Sequence, residues 1–342
     1  MPALKDKIRI THLTFSGGGT HGAVLVGGLR FLYLEGLHTN ITHLSCCSVG
    51  CFVAIMFCFK FSIEEMEETI KSLVAYNKFS FIPKSNYLKI FNNLGLSSTD
   101  ILIDHLISKI REKYKEYTTN EELENITFMD ISKRFGINLY ISTTCLNTCQ
   151  GKTFSIEDTP DAKVFQVCRA SMSIPFLYKP VEINGEYYVD GGMSNNFPIS
   201  VFKNVPDENK LGLALCSGKD ENKPIDTNEK PSLFFILCRV STIIRNIFRE
   251  KVFLSHLNNV SVLKYDNIPA SWIAYEVQKT GLRIFKVSLE ELNEMFIFGF
   301  HHMMLYMQYR ENVVDAKHAN YIRLIDDDTN KNTDESKDCP DV

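Results

Sequence analysis

The sequence lacks an apolar run long enough to span a membrane. Its most apolar stretch, residues 49–59, is well short of the roughly 20 residues that a spanning helix needs. An apolar signal-peptide segment is also missing near the start, where MPALKDK leads directly into a strand-like run and a glycine loop. We therefore expect an intracellular protein, either cytoplasmic or peripherally membrane-associated, that is not secreted through a signal peptide.

A surplus of positive charge is also absent. The chain carries 37 lysine and arginine residues against 41 aspartate and glutamate residues, a formal net charge of −4. A nucleic-acid-binding protein usually presents a basic patch or stripe. The composition therefore does not favour a nucleic-acid partner.

The ten cysteines do not form a disulfide or zinc pattern. Most lie inside apolar strand-like or helix-like runs, where a free cysteine behaves as a small hydrophobic residue. No Cys-x-x-Cys pair occurs, and Cys145 and Cys149 have no histidine pair at zinc-like spacing. We expect reduced thiols and no metal centre.

Strand-like and helix-like segments alternate along the chain, and Asn184-Gly185 marks a hairpin between two short strands. Such alternation predicts an α/β fold with a mostly parallel sheet covered on both faces. Residues 118–124 are polar and are predicted as a loop. The predicted strands span residues 8–15, 137–144, 179–183, 186–189, 211–216, 260–265 and 282–287, and the predicted helices span residues 23–34, 62–76, 97–117, 127–135, 161–173, 232–257 and 288–315.

The segment THLSCCSVGCFVA, residues 42–54, has the form of a nucleophile elbow. A strand-like run ends in small residues, turns at Ser48 and continues as an apolar run of helical length. The sharp turn needs small residues two positions before and two positions after the nucleophile. Gly50 meets this demand, whereas Cys46 stands where the usual pattern has glycine.

The glycine loop SGGGTHG, residues 16–22, lies between the first strand and the first helix. Such a loop points backbone N–H groups outward, where they favour negative charge. Dinucleotide binding would need an acidic residue about 20 positions later, but residues 39–50 contain none. The alternative use is an oxyanion hole beside a nucleophile, and the next strand ends at Ser48.

Asp190-Gly191-Gly192 follows the predicted hairpin directly. An aspartate at a strand end, among glycines and the amide side chains of Asn195 and Asn196, could be an oriented general base. An ordinary turn or helix cap explains the same aspartate, and this segment alone does not decide between the two.

Taken in order, GGGTHG (17–22), CCSVG (46–50), RASMSIPF (169–176) and DGG (190–192) resemble the patatin-like phospholipase family over roughly residues 8–201. The resemblance implies a three-layer α/β/α fold and hydrolysis of lipid acyl esters without metal or cofactor. Ser48 would be the nucleophile and Asp190 the general base. The implied oxyanion-hole residues are Gly17, Gly18 and Gly19, and the supporting motif positions are Gly22, Gly50, Gly191 and Gly192.

The resemblance also implies a domain organisation and partners. We expect one acyl hydrolase domain over residues 1–325 and an acidic, disordered tail over residues 326–342. The expected partners are a lipid substrate and a peripheral membrane surface. The sequence departs from the family pattern at Cys46, usually glycine, and at His21, usually arginine or lysine.

Three other readings stay open from the sequence. A patatin fold carrying Cys46 and His21 could bind lipid without turning it over. Cys47 could be the nucleophile, although no basic partner lies near it in the sequence. A Ser-Asp-His esterase would suit the chain order of its catalytic groups, with the histidine drawn from His256, His301, His302 and His318.

Overall fold

The computed structural model describes residues 8–75, 94–117, 119–216, 260–264 and 287–313. The chain divides into a large unit, Met1–Met304, and a small unit, Leu305–Val342. The fold and site discussed below belong to the large unit. The expected tail, the predicted helix over 232–257 and residues 282–286 of the predicted strand over 282–287 lie outside the described residues.

The strands form one large sheet and one separate pair. The described strands are β1 (His12–Phe15), β2 (His43–Cys47), β3 (Gly95–Ser97), β4 (Asn138–Cys145), β5 (Gln150–Ser155), β6 (Phe176–Tyr178), β7 (Val181–Ile183), β8 (Glu186–Asp190), β9 (Lys210–Cys216) and β10 (Val260–Lys264). The order in the large sheet is β10-β9-β1-β2-β4-β8-β7, β5 pairs with β4, and β3 pairs with β6 apart from the large sheet.

The large sheet is mixed. From β10 through β9, β1 and β2 to β4 every pairing is parallel, which is the arrangement that alternating strands and helices predict. The pairings of β5 and β8 with β4, and of β7 with β8, are antiparallel. The predicted α/β class is confirmed, with antiparallel strands added at one side.

Two strands meet end to end along one edge of β4. Cys47, the last residue of β2, is paired with Ser142, and Asp190, the last residue of β8, is paired with Thr143. The opposite edge of β4 is occupied by β5. Because β2 is parallel and β8 antiparallel to β4, their carboxyl ends converge at adjacent positions.

Helices flank this sheet. The described helices are α1 (Gly22–Leu34), α2 (Val49–Cys58), α3 (Ile63–Ala75), α4 (Asp100–Lys113), α5 (Asn120–Glu124), α6 (Phe128–Phe135), α7 (Val164–Ser171) and α8 (Leu289–Val313). Of these, α1, α2, α6 and α7 pack against the strands of the sheet. No helix in the described ranges is both long and apolar enough to cross a membrane.

The prediction of a loop over residues 118–124 is wrong, because Asn120–Glu124 form the short helix α5. Thr119 caps this helix, its side chain accepting a hydrogen bond from the Glu122 N–H while the Glu122 side chain accepts one from the Thr119 N–H. A capping box satisfies backbone donors that a short polar helix would otherwise leave open. The sequence of this segment therefore contains a helix-capping signal, although its polar composition indicates a loop.

A stacked histidine pair lies where β1 and β2 begin. The His12 and His43 rings have centroids 4.2 Å apart and are stacked. Burial, followed by the charges of His43 and Lys210, lowers the pKa of His12 from 6.5 to about 4. Burial also lowers the pKa of His43. The folded state therefore resists protonation of this pair.

We predict that this pair makes stability fall with acidity between about pH 6.5 and pH 4. In that window the unfolded chain binds a proton that folded His12 does not, so the free energy of unfolding decreases as pH falls. Above about pH 6.5 the pair makes no contribution to the pH dependence of the free energy of unfolding. Because His12 is half-exposed, we expect about 1 kcal/mol between pH 7 and 5, or about 2 °C in Tm.

The measurement is Tm against pH for the wild type, His12→Gln and a control, His301→Gln, at an exposed position on α8. His12→Gln should flatten the dependence, and His301→Gln should leave it unchanged. An equal slope in the wild type and His12→Gln would contradict the prediction.

Candidate active site

Ser48 lies at a strained turn between β2 and α2. Its φ is 51° and its ψ is −128°, a conformation that costs a non-glycine residue about 1–3 kcal/mol. Cys46 does not prevent this turn. Its side chain is fully buried, with Sγ 3.6 Å from the Tyr140 carbonyl oxygen. The strand–turn–helix shape of an elbow therefore forms with cysteine at this position.

Two glycines make room for the elbow. A Cβ on Gly50 would lie 2.7 Å from the Ser16 carbonyl oxygen and 2.8 Å from that of Phe15. A Cβ on Gly22 would lie 2.5 Å from Cγ2 of Val49. Real Cβ atoms do not approach so closely, so α2 can pack against the end of β1 and the start of α1 only without these side chains.

Asp190 lies directly beside Ser48. The Ser48 hydroxyl donates a 2.6 Å hydrogen bond to Oδ2 of Asp190, and the side chains are only 7% and 5% exposed. The other carboxylate oxygen, Oδ1, accepts the Gly192 N–H at 2.7 Å and lies 4.0 Å from Sγ of Cys47. Hydrogen bonds to a carboxylate are short and strong, so both oxygens of Asp190 are held.

Gly191 carries the chain past β4 immediately after Asp190. A Cβ at Gly191 would overlap the Ser142 carbonyl group and would lie 2.9 Å from Sγ of Cys47. The turn must therefore stay close to β4, the strand along whose edge the ends of β2 and β8 meet. Gly191 supports the position of the carboxylate by its size, and Gly192 supports it by its N–H group.

The glycine loop approaches Ser48 from the end of β1. A Cβ on Gly17 would overlap Oδ1 of Asn196 and would lie 3.0 Å from Cβ of Ser48. The Gly17 N–H donates to the Asn196 carbonyl oxygen at 3.0 Å, and Nδ2 of Asn196 donates to the Gly17 carbonyl oxygen at 3.2 Å. Gly17 thus lies against the serine, while its own amide is used by Asn196, in the segment after Asp190.

Gly18 and Gly19 differ from Gly17 in their amides. Both residues are partly exposed, and within the described ranges neither N–H group donates to a protein acceptor. Gly19 has φ of 56°, a left-handed conformation that glycine adopts without strain. Two consecutive amides of the glycine loop are therefore not used by a described acceptor.

The histidines considered from the sequence lie on different elements of the fold. His21 is buried, with Nδ1 3.1 Å from the Gly18 carbonyl oxygen. On α8, His301 is exposed, and Nδ1 of His302 lies 3.2 Å from the Phe298 carbonyl oxygen. His256 and His318 lie outside the described residues.

Metal coordination has no obvious place in the described part of the chain. No group of three or more His, Cys, Asp or Glu side chains there is arranged to share a metal ion. Cys47, the alternative nucleophile, is buried beside Asp190 and Asn196.

Two contact residues were not identified from the sequence. Asn196 joins the glycine loop to the segment after Asp190, and Ser171 accepts the Ser48 N–H at 2.9 Å. Asn196 belongs to the run of amide side chains after DGG, and Ser171 to the RASMSIPF motif. Both lay within recognised motifs, but nothing local indicated which groups they contact.

The arrangement suits acyl transfer. A serine hydroxyl at an elbow is hydrogen-bonded to a carboxylate, and the glycine loop approaches the serine at Gly17. A hydroxyl needs an adjacent base to act as a nucleophile, and amides aimed at a developing oxyanion lower the barrier. Fold and site together define an α/β protein in which a serine hydroxyl at a strand–turn–helix junction is bonded to a buried carboxylate.

Comparison with known proteins places the chain in a family. The profile of the patatin-like phospholipase family matches residues 13–203, and the chain belongs to that family. It is 32% identical over 227 residues to uncharacterized protein R571 of Acanthamoeba polyphaga mimivirus, covering 65% of this chain and 70% of that protein.

Two further similarities concern a viral protein and a bacterial structure. Probable lipid hydrolase 463L of Invertebrate iridescent virus 6 is 30% identical over 205 residues, which cover 58% of this chain and 65% of that protein. The crystal structure of VipD from Legionella pneumophila matches with a TM-score of 0.59 at 16% identity, over 88% of this chain and 67% of VipD. The likeness to VipD concerns the fold alone.

We predict that Gly17→Ala impairs the site without unfolding the chain. The added methyl group would meet Cβ of Ser48 and Oδ1 of Asn196, displacing the loop or the serine. A displacement of about 1 Å at a reacting group can cost about 10²-fold in rate. We therefore expect labelling of Ser48 by a fluorophosphonate probe to slow by about that factor.

The matched control is Gly185→Ala. Gly185 has φ of +82°, and a Cβ there would meet nothing within 4 Å, so the variant adds backbone strain away from the site. It should lower Tm and label at the wild-type rate. Equal labelling by Gly17→Ala and the wild type would contradict the prediction.

Proposed function

We propose that this protein is a lipid acyl hydrolase of the phospholipase A or lysophospholipase type. It cleaves fatty-acyl esters through an acyl-Ser48 intermediate, with Asp190 as the base of a two-residue dyad. The observation that carries the proposal is the 2.6 Å hydrogen bond from Ser48 Oγ to Asp190 Oδ2. Family membership and the similarity to a probable lipid hydrolase support a lipid ester as the substrate.

The first half-reaction forms the acyl-enzyme. Asp190 Oδ2 takes the hydroxyl proton as Ser48 Oγ attacks the ester carbonyl carbon. The Gly18 and Gly19 amides stabilise the oxyanion, and loss of one such donor typically costs about 10²–10³ in rate. The ester C–O bond then breaks, and the departing alcohol or lysolipid oxygen receives the proton from Asp190.

The second half-reaction releases the fatty acid. Asp190 takes a proton from a water molecule as the water oxygen attacks the acyl carbon. The bond to Ser48 Oγ breaks, and the serine oxygen regains a proton from Asp190. The Gly192 N–H holds Oδ1 of Asp190 throughout, which keeps Oδ2 directed at the reacting atoms.

We predict that Ser48→Ala and Asp190→Asn each reduce ester hydrolysis by about 10³-fold or more. Nucleophile and base act as a unit, so removal of either costs nearly the whole chemical acceleration. The measurement is fatty-acid release from phospholipids, lysophospholipids and triacylglycerols. A fluorophosphonate probe should label the wild type at Ser48 and should not label Ser48→Ala.

The controls separate the other readings. A variant with His256, His301, His302 and His318 all changed to glutamine should retain wild-type activity, whereas a Ser-Asp-His esterase would lose it. Lipid binding without labelling of Ser48 would instead identify a lipid-binding protein. Near wild-type hydrolysis by Asp190→Asn would overturn the dyad.

We also propose that the site operates at a lipid surface. Leu146 and Tyr187 are 46% and 43% exposed, and the Leu146 N–H donates to the Tyr187 carbonyl oxygen at 2.8 Å, so the two residues are neighbours. Leu146 follows the carboxyl end of β4, which points the same way as the end of β2 before Ser48. Exposed apolar groups beside a site are a typical means of contacting lipid.

We predict that Leu146→Asp weakens binding to phosphatidylcholine–phosphatidylserine vesicles about fivefold, the effect of losing ~1 kcal/mol of apolar burial. Leu34→Asp is the matched control because Leu34 is 69% exposed but lies at the end of α1, toward the opposite end of the strands. Cosedimentation measures both. Hydrolysis of a soluble short-chain ester should be unchanged, and equal vesicle binding by the two variants would refute the surface.

A further inference from the structure

The RASMSIPF motif, residues 169–176, has no part in the chemistry described so far, yet it contacts both members of the dyad. The Ser48 N–H donates to the Ser171 hydroxyl oxygen at 2.9 Å. The Asp190 N–H donates to the Ser173 carbonyl oxygen at 2.9 Å. One short segment at the end of α7 therefore holds the backbone amides of both residues.

The Ser171 hydroxyl is fully used in this position. It donates to the Ser142 carbonyl oxygen at 2.6 Å, accepts the Ser48 N–H, and accepts a hydrogen bond from the Cys51 thiol at 3.2 Å. A hydroxyl has one donor and two acceptor positions. Ser171 thus connects the elbow, the start of α2 and the middle of β4 through one fully buried oxygen.

This connection bears on the conformation of Ser48. At φ of 51° and ψ of −128°, the backbone persists only where surrounding contacts impose it. The Ser171 hydroxyl bonds the backbone amide within that strained residue. Without the bond, the turn could relax by rotating the peptide before Ser48, which would move Oγ away from Asp190.

The segment itself is firmly anchored. The Arg169 guanidinium forms ion pairs with Asp100, Asp104 and Glu124, on α4 and α5. The Thr99 hydroxyl donates to the Arg169 carbonyl oxygen at 3.2 Å. These contacts with α4 and α5 therefore hold the end of α7 in place. Ser171, at that end, holds the elbow in turn through its hydrogen bond with the Ser48 N–H.

We propose that Ser171 is a positioning residue, whose hydroxyl holds the Ser48 backbone in the strained conformation that directs Oγ at Asp190. The expected effect of Ser171 on kcat rests on the proposed function. Its role in holding the Ser48 backbone rests on the hydrogen-bond geometry alone. Ser171 acts through the Ser48 amide and takes no part in bond making.

The test compares Ser171→Ala with Ser173→Ala. Both serines are fully buried near the end of α7, and each donates its hydroxyl to a backbone carbonyl oxygen, that of Ser142 or Arg169. Only Ser171 bonds the elbow through its side chain. Ser171→Ala should lower kcat about 10²-fold, the cost of misplacing a reacting group by about 1 Å, with KM within about twofold.

Ser173→Ala should keep kcat within about threefold of the wild type at a comparable loss of Tm, a difference set by contact with the elbow. Ser171→Cys fills the same space with a weaker hydrogen-bonding group and should fall between the wild type and Ser171→Ala. If Ser171→Ala does not fold, wild-type kcat in Ser171→Cys would still overturn the proposal, and a reduced kcat would support it.

Hydrogen exchange provides a readout that does not depend on activity. The Ser48 amide, followed in the peptide covering residues 44–52, should exchange faster in Ser171→Ala than in Ser173→Ala. Equal exchange and equal kcat in the two variants would overturn the role of Ser171. If the wild type neither hydrolyses lipid nor labels at Ser48, the proposed function fails, and exchange alone still decides whether Ser171 holds the elbow.

Discussion

The convergence of β2 and β8 along one edge of β4 governs the site. It brings the residue after one strand and the last residue of the other to adjacent positions, and the Ser48 hydroxyl reaches Asp190 at 2.6 Å. Side chains alternate between the two faces of a sheet, so a one-residue slip of β8 would turn Asp190 to the opposite face. The register of an antiparallel pair therefore determines whether serine and carboxylate meet.

Close packing explains most of the glycines around this point better than backbone freedom does. Gly17, Gly22, Gly50 and Gly191 have no room for a Cβ because another element occupies that space. Cys46, by contrast, keeps its side chain buried beside β4. A departure from the family pattern at that position is compatible with the turn because the cysteine side chain is accommodated beside Tyr140.

The elbow stores strain that its surroundings must balance. Ser48 is held through its side chain by Asp190 and through its amide by Ser171, and the two partners are themselves connected through the segment from Arg169 to Ser173. The ion pairs of Arg169 place the fixed end of that segment at the protein surface. Charge at the periphery and hydrogen bonds in the interior thus support the same turn.

The sequence by itself determined the elements that local rules govern. Small residues around Ser48, a glycine loop between strand and helix, and the order of four motifs predicted the α/β class and the family, and both are confirmed. The roles assigned to Ser48, Asp190 and the glycine loop stay predictions, as do the domain limits and the tail. These patterns can be recognised in the sequence because turn geometry and helix starts depend on residues that are neighbours along the chain.

Only the tertiary structure decided the antiparallel pairing of β5 and β8 with β4, the use of the Gly17 amide by Asn196, and the contact of Ser171 with the elbow. Strand β5 is polar at its start and carries no alternating apolar signal. Gly17 and Asn196 are 179 residues apart, and Ser48 and Ser171 are 123 apart. Strand pairing and hydrogen-bond partners at such separations depend on how the whole chain packs, and no local run of residues encodes them.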